Sequence, residues 1–207
     1  YQDAQSDSVF PLIEFQNIQQ ATDWYEYALI KGWHVSPVWN QDNHSADWGN
    51  KNTGRAGVWA ASLTKSELYD AIRKRRTFAT TDKNAAIWLD VCGVSMGRNV
   101  QRTSNSPIHI VLSDPNPEKW INIELVTQQG VVQSFISTSS HTDTTIFYTP
   151  SADNWMFIRA TQNDSDMLWS APVFFTGTLT MEKEISMPGL IDFHLSENNG
   201  ELIIATN

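Results

Sequence analysis

Trp33-His34-Val35-Ser36-Pro37-Val38, followed closely by Asn40-Gln41-Asp42-Asn43-His44-Ser45-Ala46-Asp47-Trp48-Gly49-Asn50, is the stretch on which the fold turns. A short apolar run with a proline near its end reads as a strand, and the polar segment behind it as the loop at that strand's end. Working outward, Phe10 to Phe15 is a second buried strand, and Ala21 to Lys31 carries Trp24, Tyr27, Ala28 and Leu29 at helical spacing with Gly32 as terminator. On the other side Gly57 to Ala61 is a third strand. Thr64-Lys65-Ser66-Glu67 is then a capping box opening a helix through Leu68, Ala71, Ile72 and Arg75 that should end near Arg76. Strand, helix, strand, helix implies right-handed β-α-β crossovers and a parallel sheet. The polar, acidic first ten residues read as a frayed end.

After about Asn84 the texture changes. Ala86 to Val91, Ile108 to Leu112, Ile121 to Val126, Val131 to Ile136, Ile146 to Tyr148, Trp155 to Arg159 and Pro172 to Phe175 are short runs rich in β-branched and aromatic residues, separated by turn clusters. That spacing fits an antiparallel sandwich of about seven strands, with no helix longer than two turns between Ile108 and Phe175. Leu190 to Leu195 and Glu201 to Ala205 add a hairpin across Asn199-Gly200. The expected organisation is α/β over residues 1–100 and all-β over residues 101–207.

With 14 Lys and Arg against 23 Asp and Glu, the 207-residue chain carries a net charge of −9, which repels phosphate backbones and anionic lipid. Nucleic acid is therefore an unsuitable partner, and no stretch approaches the ~20 apolar residues of a membrane span. Cys92 is the single cysteine, which excludes an internal disulfide; it is expected as a small buried apolar residue. The nine Trp suit either packing, as for Trp88, Trp120, Trp155 and Trp169 within strand-like runs, or a sugar-binding face.

The candidate chemistry lies in the loop after Val38, since loops at strand ends of parallel α/β folds gather reactive side chains. On an extended backbone Asp42 and His44 point the same way and can share one cation, and a mixed oxygen and nitrogen pair suits Zn, Mn or Fe. The spacing alone is weak. Asp192-Phe193-His194 repeats it on a strand whose other face holds Ile191, Phe193 and Leu195, so that pair is expected on a solvent face.

The string NQDNHSADWG, with GRAGVWAASLTKSELYDAIRKRRTFAT after it, resembles the end of the catalytic domain of the polymerase and histidinol phosphatase (PHP) superfamily, in particular its secreted phosphoesterase-like members. The resemblance covers about Phe10 to Gly97 and is most specific over Asn40 to Gly49 and Leu63 to Thr80. It implies the closing portion of a distorted (β/α)7 barrel followed by an immunoglobulin-like β-sandwich. It also implies Asp42 and His44 as ligands of a multi-metal centre, hydrolysis of a small phosphorylated substrate by metal-activated water, and an extracellular or periplasmic location. The family's H-x-H motif has no counterpart in this chain, which implies that the N-terminal part of the barrel is missing and that this chain alone is inactive.

Arg55 and Asn40 are the candidate substrate contacts, Arg55 having an ordinary loop salt bridge as its alternative. Asp47 is expected to orient His44, and His34 either to point into the barrel mouth or to be a hydrogen-bonded core residue. Arg73 to Arg76 reads as a solvated helix end whose cations face the helix dipole. A competing reading makes the chain a non-catalytic module whose sandwich recognises glycan or protein.

Overall fold

The computed structural model describes residues 2–178, together with the backbone of residues 183–185, 193–198 and 201–206. The first half runs α1 (Ala4–Val9), β1 (Leu12–Phe15), α2 (Ile18–Ile30), β2 (Ser36–Trp39), β3 (Arg55–Val58), α3 (Lys65–Arg73), β4 (Thr77–Thr80), β5 (Ala86–Val91), β6 (Val94–Ser95) and β7 (Asn99–Gln101). Strands follow: β8 (Ser106–Ser113), β9 (Trp120–Thr127), β10 (Gly130–Phe135), β11 (His141–Tyr148), β12 (Trp155–Gln162), β13 (Met167–Ser170) and β14 (Val173–Thr176). Between Ile108 and Phe175 the chain holds strands and turns and no helix. Beyond them β15 (Lys183–Ile185), β16 (Phe193–Asn198) and β17 (Glu201–Thr206) pair antiparallel, with Asn198 opposite Glu201. Asp192 and the side chain of His194 fall outside the described residues.

Three layers build the body. The middle one is a sheet of order β10-β9-β12-β13-β4-β3, with β14 and β7 continuing from β12. One face of it packs on the four-stranded sheet β11-β8-β5-β6, and the other on α2 and the two-stranded sheet β1-β2. The alternation of side chains along each strand sorts the two interfaces. Met156, Ile158 and Ala160 of β12 join Ile87, Leu89, Ile110 and Leu112 of the facing sheet. Trp155 and Phe157 of the same strand join Phe15, Tyr25 and Leu29. β12 is therefore buried on both faces, which explains a continuous apolar run where a one-sided strand would alternate. Two polar links tie α2 to the middle sheet: the Tyr25 hydroxyl donates to the Ser170 carbonyl at 2.9 Å, and Arg159 bridges Glu26 and Glu124 at 3.1 and 2.6 Å.

Several expectations from the sequence are corrected. β1 and β2 pair in parallel around α2, as a β-α-β unit should, but β3 and β4 pair antiparallel, so the second crossover does not exist. A connection the length of α3 permits either strand direction. The turn after α3 decides: Arg75 adopts φ 58, Arg76 N–H bonds back to the Ala71 carbonyl, and Trp59 N–H then meets the Arg76 carbonyl at 2.9 Å. The helix thus ends at Arg73, and Arg75 is not a solvated cation; its Nε donates to the His34 carbonyl. β4 also pairs with β13, so residues on either side of the expected boundary near residue 100 share one sheet.

Residues 2–10 are not frayed. Asp3 caps α1 by accepting from Ser6 N–H at 2.9 Å, and Asp7 anchors the helix to His34. Cys92 is exposed rather than buried, because Cys92 and Gly93, with φ 53 and 73, form the two-residue turn between β5 and β6. Both central residues of such a turn need positive φ to match the strand twist. Of the tryptophans expected to pack, Trp120, Trp155 and Trp169 are buried, while Trp88 is half-buried and meets Trp59 edge to face at 5.7 Å.

Candidate metal centre

The segment from Asn40 to Gly54 is the loop at the C-terminal end of β2, held in shape by its own short polar side chains. Asn40 Oδ1 accepts from Asp42 N–H at 3.1 Å, Asn43 Oδ1 from Ser45 N–H at 2.9 Å, and Asn52 Oδ1 from Gly54 N–H at 3.0 Å. Such side-chain turns replace strand pairing and explain the density of Asn and Asp here. Asp42 takes φ 43, the left-handed region that Asp tolerates better than most residues.

The backbone is therefore not extended at Asp42, yet the pair still converges: His44 Nε2 stands 3.7 Å from Asp42 Oδ1, both side chains open to solvent. An exposed pair at that separation contributes little to stability. Its interest is geometric, since two donors 3.7 Å apart can share a cation with bonds of about 2.0–2.2 Å to each. Among the described residues no group of three or more His, Cys, Asp or Glu stands close enough to hold a metal ion.

The neighbours divide. Asp47 accepts from Asn43 Nδ2 at 2.8 Å, so it braces the loop and does not orient His44. Arg55, at the start of β3, spends Nη1 on the carbonyls of Asn52 and Gly54 and Nη2 on that of Gly49, at 2.7–3.1 Å. Among the described residues it makes neither a salt bridge to a carboxylate nor an outward-reaching contact. Asn40, Arg55, Trp39 and Trp48 line a shallow cavity of about 310 Å³ beside the pair. Trp39 closes its floor: the indole lies against Gly54, where an added Cβ would collide with it, and stacks on Trp169 at 6.2 Å. Among the described residues Trp39 Nε1 and Gln41 Oε1, buried there, have no hydrogen-bond partner.

His34 belongs elsewhere. It precedes β2, whereas the loop follows it, so roughly 13 Å of strand separates them. Its ring packs on Phe174 at 4.4 Å and its Nδ1 meets Asp7 Oδ2 at 2.7 Å.

Residues 30–89 match the family described as a protein of unknown function, DUF3604. The matched stretch contains β2, the entire Asn40–Gly54 loop, β3, α3 and β4. No curated protein and no solved structure matches the chain.

A second cluster escaped the sequence. On the outer face of the four-stranded sheet, His109 of β8 lies between Asp90 of β5, at 3.0 Å from Nδ1, and Asp143 of β11, at 2.9 Å from Nε2. Both ring nitrogens face carboxylates, so the imidazolium is the favoured form, and Asp143 first, then Asp90, raise the His109 pKa. A raised folded-state pKa stabilises the fold below the unfolded value, about 6.5, and that contribution fades as pH rises through the folded value. Urea midpoints measured from about pH 5 to 9 should fall with rising pH, and Asp143→Asn should flatten the dependence. An unchanged slope in that variant would remove His109 as its source.

Proposed function

We propose that the first part of the chain, the β1-α2-β2 unit with the loop behind it, belongs to the closing portion of a PHP-type metal-dependent phosphoesterase, and that the immunoglobulin-like sandwich that follows performs no chemistry. The observation that carries this reading is the Asp42–His44 pair at the C-terminal end of the parallel β1-α2-β2 unit. That is where ligands belong in a parallel α/β architecture. The missing ligands would come from the N-terminal part of the barrel. Two features fit that completion: β1 pairs only with β2 among the described residues, and α2 leaves Trp24, Tyr27 and Ile30 exposed. Parallel sheets with bare edges and faces are rare.

Asp42 and His44 would hold one of two or three divalent cations, Zn, Mn or Fe. Such a centre lowers the pKa of a bound water and stabilises charge on the leaving oxygen of a phosphate ester. The Asn40 and Asn43 turns fix the loop that carries both ligands. Arg55 would meet the substrate phosphate with the N–H groups its three loop carbonyls leave over, and Asn40 with its amide. An extracellular or periplasmic location agrees with the same reading.

Hydrolysis of p-nitrophenyl phosphate tests it. The full-length protein supplied with Zn, Mn or Fe should turn the ester over, while the 207-residue chain alone should not, for want of ligands. A full-length protein inactive with all three metals would overturn the proposal. Turnover by the isolated chain would overturn the incompleteness of its site.

A further inference from the structure

At the opposite end of β2 from the loop, six segments converge on a cavity of about 300 Å³: the end of α2, Gly32 to His34 before β2, β7, the β9–β10 turn, the start of β12 with Asn154 before it, and β14. That is at the small end of the range for ligand pockets, about 300–1,000 Å³. Its walls include the partly exposed rings of Trp33 and His34 over buried Trp155 and Phe174. Its rim carries the exposed carboxamides of Asn99 and Asn154. Among the described residues that line it none is Asp, Glu, Lys or Arg, and Arg102 reaches its rim only through Asn154 Oδ1, at 3.5 Å.

We propose that this pocket binds a neutral hydroxylated ring, a monosaccharide or one sugar unit of a glycan. The inference stands apart from the metal reading, because it uses none of the loop residues. Aromatic faces take up the apolar face of a sugar ring, the Asn99 carboxamide supplies a donor and an acceptor to its hydroxyls, and Asn154 supplies its Nδ2 donor, its Oδ1 being met by Arg102 Nη2 at 3.5 Å. An uncharged lining offers nothing to offset the desolvation of a charged ligand.

The pocket is also preorganised. Asp7 fixes His34 twice, through the backbone N–H at 2.7 Å and through Nδ1 at 2.7 Å, and Phe174 packs on the ring from another side. With Nδ1 turned to Asp7, Nε2 is the ring atom left for a ligand hydroxyl. Gln128 is spent in the same cause: it donates to the Ala152 carbonyl at 2.8 Å and accepts from Asn154 N–H at 3.3 Å, holding the segment that presents Asn154. A site whose side chains are already held loses less entropy on binding.

Titration with methyl β-D-glucopyranoside, N-acetylglucosamine and cellobiose, followed through the indole N–H signals of Trp33 and Trp155, decides it. Saturable shifts at both indoles are expected with at least one of these probes. Asn99→Leu and Asn154→Leu, which alter exposed side chains, should each weaken binding about tenfold or more, and glucose 6-phosphate should bind less tightly than the neutral sugars. Tighter binding of cellobiose than of the single rings would identify a glycan as the source, and equal binding a free monosaccharide. No saturable shift, shifts unaffected by both variants, or glucose 6-phosphate binding as well as the neutral probes would overturn the assignment.

Discussion

His44→Ala or Asp42→Ala in the full-length protein is expected to remove bound metal and to lower phosphate-ester hydrolysis beyond the ~10–100-fold typical of losing a partner that only orients a ligand. The fold should survive, because both side chains are exposed and their 3.7 Å contact adds little to stability. Circular dichroism and the thermal midpoint should stay within the ~0.5 kcal/mol of an ordinary surface substitution. Asp47→Ala separates ligation from loop bracing. It breaks the 2.8 Å bond to Asn43 but touches neither Asp42 nor His44, so a smaller loss of metal is expected. Elemental analysis beside the parent protein reads the result. Equal metal in His44→Ala and the parent would remove the basis for a PHP-type centre in this loop.

The sequence exposed what is local and hid what is not. The Thr64 cap is realised, its side chain accepting from Glu67 N–H, because a cap depends only on neighbouring residues. The β1-α2-β2 unit was readable from helical spacing between two apolar runs. β4 was not read as a strand at all, because its place and direction depend on pairing with β13, about 90 positions away. The partner of His34 was hidden for a similar reason: of its two readings the hydrogen-bonded one holds, but its anchor, Asp7, lies 27 residues earlier in a helix that composition suggested would be frayed. The turn at Cys92-Gly93 was missed because Cys is not among the residues that usually mark such turns.

The candidate site shows the same division. That Asp42 and His44 belong together was legible, but the means was not, since a left-handed Asp42 joins them where an extended strand was expected. The Asp90–His109–Asp143 cluster had no sequence signal at all: its members come from three strands and are 19 and 34 residues from the histidine. Only the lateral order β11-β8-β5 makes them neighbours.

That lateral order also governs how the molecule should unfold. Two independent domains would melt separately, whereas a sheet with both faces buried couples every layer packed on it. Phe157 and Ile158, adjacent in β12, point to opposite cores: Phe157 meets Tyr25 of α2 at 4.7 Å between ring centroids, and Ile158 packs toward the four-stranded sheet. Phe157→Ala should cost about 3–5 kcal/mol and Ile158→Ala about 2–5 kcal/mol, through lost burial and the cavity left behind. For a chain of this size that lowers the thermal midpoint by roughly 4–20 °C. Both substitutions should move one and the same transition, seen alike by far-ultraviolet circular dichroism and by tryptophan fluorescence, because β12 pairs with β9, β13 and β14 at once. A scan in which Ile158→Ala shifts one transition and leaves a second untouched would show that the α2 layer and the sandwich fold as separate units, despite the β4–β13 ladder that joins residues 78–80 to residues 168–170.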